Sequence, residues 1–184
     1  MDRVPILKKT ELDATQQRVY DEISESRNGH VLELFMALLH SPVVADHAQR
    51  LGAFHRHHSS LSTRLVEISV LTTAKHWCSS YAWHHHHRYA HDCGIETEII
   101  DAIREGREPA VTDDDAAVYA YTRELLENRH VSDRTYQAAW DELGSTGVVE
   151  LTALIGYYTM VAMTLNEHQV PLPEGASPAL PPPG

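Results

Sequence analysis

Two cysteines in 184 residues, Cys78 and Cys93, are too few and too far apart for a disulfide framework or a C-x-x-C pair. A reducing, cytoplasmic setting is the expectation. Basic residues are scarce as well. Fifteen Lys and Arg stand against 26 Asp and Glu, a formal charge of -11, and nucleic-acid binding needs a basic face. Nucleic acid is therefore not an expected partner. No apolar run reaches the roughly 20 residues of a membrane span, so no membrane partner is expected either. The opening MDRVPILKKTELD shows no leader with an apolar stretch and cleavage site. Persuasive strands and internal repeats are missing too.

What the chain has in excess is histidine. There are 14, most of them between His40 and His91. The HHHH run at 84–87 is internal, so it belongs to the protein and is not a terminal tag. The rest reads as helix after helix in one domain, residues 1–172, with a Pro-rich tail at 173–184 expected to be mobile or draped over a neighbour. An acidic cap opens a helix over 13–26. An apolar run follows and is stopped by Pro42, and a third helix covers 43–57. Serines mark a break before a helix from about 62 to 77, whose Leu61, Leu65, Ile68 and Leu71 form one stripe and Val66, Val70, Ala74 and Trp77 another. That helix is predicted to be buried over much of its circumference. The next runs from Ser79 or Ser80 to Cys93 and closes at Gly94. Shorter helices end at Gly106 and Gly144, and the longest apolar run, 148–165, reads as a core helix. The fold class is all-α.

Inside this apolar setting, Glu67 sits among Val70, Leu71 and Ala74. On the following helix Ser79, Ala82, Trp83, His86, Ala90 and Cys93 share one face. His86 is the one imidazole in that row, while His84, His87 and His91 lie on another face with Arg88. The four adjacent histidines are therefore spread around the helix. Burial raises a carboxylate's pKa and a nearby imidazolium lowers it again, so a buried Glu–His pair is a compact acid–base device. A Glu on a surface or a satisfied core His is the plainer alternative.

The segment EISVLTTAKHW, then YAW with two histidines after it, and DCGI with EIIDAI downstream, resembles the carboxymuconolactone decarboxylase family, which includes the alkylhydroperoxidase D proteins. The likeness spans about 35–170 and is sharpest over 64–104. Peroxidase members carry a Glu, a C-x-x-C twelve residues on, and a His four after the second Cys. Glu67 and His86 match the Glu and the His, whereas Ser79 and Ala82 occupy the cysteine positions. Tyr81 and Trp83 resemble the Tyr-x-Trp of members without cysteines. Peroxide reduction by a thiol pair needs a thiolate and a resolving thiol. Cys78 is one residue off the motif, about 100° round a helix. That chemistry is not expected.

The resemblance implies an alkylhydroperoxidase D-like helical bundle that oligomerises through its helices as a homotrimer or hexamer, with the apolar runs 31–39 and 148–165 as the surplus surface. It implies a cofactor-free lyase or isomerase, of the kind used in aromatic catabolism, acting on a small carboxylate or lactone. In that reading Glu67 and His86 are catalytic, Ser79, Tyr81, Trp83 and Arg88 shape or bind, and Arg56 and Arg64 are further carboxylate binders. The alternative is a scaffold without redox activity that binds a ligand, or a metal through His55, His57, His58, His84 and His87. None of the strong metal-ligand spacings is present, and no cofactor is expected.

Overall fold

The computed structural model describes residues 3–182 and, among them, contains helices and no strand. After a single 3-10 turn at Lys9–Glu11 come α1 (Ala14–Glu25), α2 (Glu33–Leu38), α3 (Pro42–His57) and α4 (Thr63–His76). These are followed by α5 (Ser80–Asp92), α6 (Thr97–Glu105), α7 (Asp113–Asn128) and α8 (Asp133–Glu167). Short polar signals set the boundaries. Asp13 accepts from Thr15 N and Gln16 N at 2.8 Å, and Gln16 reaches back to Asp13 N. This reciprocal cap satisfies donors that a helix start leaves orphaned.

The centre of the bundle is α4, which packs against α5, α7 and α8. Leu65 through Ala74 are all buried, as the double stripe predicts. Its hydroxyls do not disturb that burial. Thr72 and Thr73 donate back to Ile68 O and Ser69 O at 2.8 Å, and Thr122 of α7 donates to Ser69 Oγ at 3.1 Å. A core helix can carry such groups only when each finds a partner.

Three expectations are corrected. The apolar run before Pro42 gives only the six-residue α2, and Pro42 opens α3, where a missing N–H costs nothing. Leu34, Phe35, Met36, Ala37 and Leu39 are buried within the chain, so 31–39 is not surplus surface. The large apolar residues left exposed are Val43, Val44 and Leu51 on α3, Tyr89 on α5, and Tyr136, Trp140, Val149 and Met163 on α8. The break expected at Gly144 is present: Gly144 turns at φ 66°, ψ −179°, between the two helical halves of α8. Only glycine takes that conformation without strain. Finally, the Pro-rich tail packs on its own chain. Leu180 is buried, and Ser80 Oγ bonds both its carbonyl and its N–H at 3.3 Å. Residues 183–184 of that tail lie outside the described residues.

Candidate active site

Glu67, halfway along α4, and His86, halfway along α5, face each other across the seam between these two helices. His86 Nδ1–H donates to Glu67 Oε2 at 2.8 Å, with the two side chains only 15% and 7% exposed. A carboxylate acceptor at Nδ1 leaves Nε2 as the free ring nitrogen. The ring is held from two sides, edge-on to Tyr158 at 5.0 Å and to Tyr89 at 5.7 Å. Tyr157 meets Tyr158 edge-on at 5.1 Å. Burial pushes both phenols above their ordinary range, so each remains a neutral O–H donor.

His86 borders a cavity of about 80 Å³, walled by Phe35, Tyr157, Tyr158 and Val161 and rimmed by Arg27 and Arg56. The Arg27 guanidinium lies 4.5 Å above the Phe35 ring. Desolvation and the charge of Arg56 push it down to about 10. Glu67 itself borders a second, wider groove of about 540 Å³ shared with His55, Ser62 and Cys93. Arg56 and Tyr89 line both spaces and so form the partition between them.

Of the other residues the sequence singles out, Tyr81 reaches the first cavity and donates its hydroxyl to Glu33 Oε2, tying α5 to α2. Ser79 and Trp83 share the inward face of α5 as expected, but they are core residues, 0% and 2% exposed, and neither borders the cavity. The expectation for Arg88 is corrected: it points to solvent, 3.7 Å from Asp92 one turn on. Arg64 is committed to structure, bonding Asp115 and Glu96 at 2.8 Å and the Gly94 carbonyl at 2.7 Å. Arg56 alone of the three arginines reaches the site. Arg27 was not legible in the sequence, because a lone Arg in the polar turn after α1 looks like any solvated residue. The tyrosine pair in the apolar stretch LIGYYTM is the one local signal for the cavity wall, because a buried phenol brings a polar hydroxyl into an otherwise apolar run.

The thiols stand apart from this arrangement. Cys78 and Cys93 are both free. Burial and the charge of Glu67 push the Cys93 thiol up, away from thiolate, and its Sγ–H donates to Ala90 O at 3.3 Å. Cys78 lies in the turn before α5 and borders different grooves. Among the described residues, no three His, Cys, Asp or Glu side chains converge as a metal would need. His84 and His87 are 6.3 Å apart between ring centroids, and His87 Nδ1 is already bonded to His84 O. His57 and His58 end α3 at the surface.

His55 is 3% exposed, and neither ring nitrogen has a hydrogen-bond partner. Desolvation lowers its pKa from the ordinary 6.5. A group whose folded-state pKa is depressed contributes stability that is full above the unfolded value and lost as pH falls below it. The same holds for His76 and His85, also lowered by burial. The melting temperature is therefore expected to fall as pH drops from 6.5 toward about 5, and His55→Phe is expected to flatten part of that slope. Thermal melts across this range read the difference; parallel slopes for the two proteins would contradict it.

No family model matches the sequence, and no curated protein matches it. The structure is similar to that of the debrominase Bmp8, with a TM-score of 0.75 and 11% identity over 95% of this chain and 94% of that one. A cysteine-to-alanine variant of the same protein, in complex with 2,3,4-tribromopyrrole, gives a TM-score of 0.75 and 11% identity over 94% of this chain and 92% of that one. At such identity the likeness shows the fold, an all-α alkylhydroperoxidase D-like bundle.

Proposed function

We propose that the chain is a cofactor-free acid–base enzyme, a lyase or isomerase acting on a small carboxylate or lactone. The observation that carries this is the Glu67–His86 contact, buried at 2.8 Å beside an aromatic-walled cavity. Neutral His86 takes a proton from substrate carbon at Nε2. The imidazolium so formed is stabilised by the Glu67 carboxylate, and the proton is returned to a different carbon as the double bond shifts. In a decarboxylation no proton is first removed: carbon dioxide leaves, its bonding electrons form a carbanion delocalised into the double bond, and one solvent-derived proton carried on His86 Nε2 is delivered to carbon. The Tyr157 and Tyr158 hydroxyls are neutral donors suited to a developing enolate or lactone oxygen.

The neighbouring debrominase is found in complex with a flat pyrrole ring, and the aromatic walls here suit a flat ligand as well. Thiol peroxidase chemistry is not part of the proposal, given Ser79, Ala82 and the protonated Cys93. A homotrimer, or a hexamer built from two, is proposed as the assembly, with Val43, Val44 and Leu51 of α3 and Val149 and Met163 of α8 as the apolar surface it would cover.

The test is solvent-deuterium incorporation, followed by NMR, into a panel of unsaturated acids and butenolide-type lactones. The expected result is exchange at one carbon of at least one compound, lost in a folded Glu67→Gln variant. Binding without exchange across the panel would leave a ligand-binding scaffold and remove the catalytic reading.

A further inference from the structure

The arginines of this chain mostly have carboxylates. Arg18, Arg50, Arg64, Arg104 and Arg123 each lie against an Asp or Glu. Arg27 and Arg56 do not: among the described residues neither has a carboxylate partner, yet both border the cavity at His86. Arg27 Nε is buried with no hydrogen-bond partner, and so is His85 Nε2 on the same cavity. Buried donors left unmade cost free energy, and two neighbouring cations without a counter-charge repel. A protein holds such an arrangement stably only at a cost that a bound anion removes.

We propose that Arg27 and Arg56 form an anion-holding pole of this cavity, which takes the carboxylate of a small, flat, unsaturated acid, with His85 Nε2 supplying a further hydrogen bond. Two planar guanidinium forks match one carboxylate in paired parallel bonds. Phe35 already stacks against Arg27, and Tyr157 and Tyr158 wall the path from this pole to His86. The carbon chain of a ligand so anchored runs along aromatic faces toward Nε2. Arg27 comes from the turn after α1, Arg56 from α3 and His86 from α5, so the anchor and the proton-transferring group are set independently. The inference deepens the proposed function by naming what the substrate must carry, but binding is separable from turnover.

The experiment is titration calorimetry of the full chain with crotonate and with crotonamide, its uncharged counterpart of the same shape. Crotonate is expected to bind saturably, and crotonamide at least roughly tenfold more weakly. Arg27→Met is expected to weaken crotonate roughly ten- to hundred-fold, the range for a charged hydrogen bond, while leaving crotonamide unchanged. Its melting temperature without ligand is expected to hold or rise, because the variant removes an unpaired charge and keeps the stem on Phe35. Arg56→Gln, at the exposed rim, repeats the test where folding is not at risk. Equal binding of the two probes, no saturable crotonate binding, or crotonate binding indifferent to both substitutions would each overturn the proposal. Crotonate binding that depends on the arginines, with no deuterium exchange in any compound, would sink the catalytic reading and leave this one standing.

Discussion

His86→Ala is expected to cut deuterium exchange into the substrate by roughly 100- to 10,000-fold, the usual contribution of a positioned general base. Nε2 is the free nitrogen of a ring fixed at Nδ1 by Glu67. Glu67→Gln is expected to cost nearly as much, for a different reason. Its amide N–H can donate to Nδ1, which moves the ring proton onto Nε2 and blocks the atom that must accept. Because glutamine is isosteric and uncharged, that variant should fold and melt at least as high as the parent. Rates measured by NMR exchange with matched thermal melts would separate the outcomes. A folded His86→Ala protein exchanging at the parent rate would end the assignment.

Phe35→Ala is expected to carry the largest cost in stability, about 3–5 kcal/mol for a fully buried phenylalanine truncated to a methyl. Phe35 is 1% exposed on a helix of six residues whose N-cap, Leu32, offers no side-chain bond. A segment that short is not stable by itself, so burial of its apolar face is what holds α2 down. The same ring supports Arg27. Denaturant unfolding should show the loss as a lower midpoint, and crotonate binding should weaken in the fraction that remains folded. A shift below about 1 kcal/mol would mean that α2 is held by something other than Phe35.

Much of this architecture is legible in the residues. The period of the Leu65–Ala74 stretch gives a helix buried all round, and the caps at Asp13 and Ser62 and the glycines at 94 and 106 fix where helices start and stop. The Glu67–His86 pairing follows from face geometry on two successive helices together with a family resemblance. What could not be read depends on tertiary packing. Nothing local marks Arg27 as different from Arg88; one turns inward over Phe35 and the other outward beside Asp92. Ser79 and Trp83 sit on the correct face of α5, but that face is longer than the cavity, and its first turn packs into core instead. The tail reads as unstructured because prolines forbid a helix, which says nothing of whether a single Leu180 finds a hole to fill.

The partition made by Arg56 and Tyr89 gives the dyad two doors. The imidazole looks into the small cavity, whereas the carboxylate behind it looks onto the wide groove. A ligand seated against Arg27 and Arg56 closes the first opening and leaves the second wet. Organic traffic and water traffic thus arrive from opposite sides of one hydrogen bond. The proton on Nδ1 can exchange with bulk water through the groove while the ligand stays in place, but the one carried at Nε2 faces the ligand, so solvent label enters the product only as often as the small cavity opens.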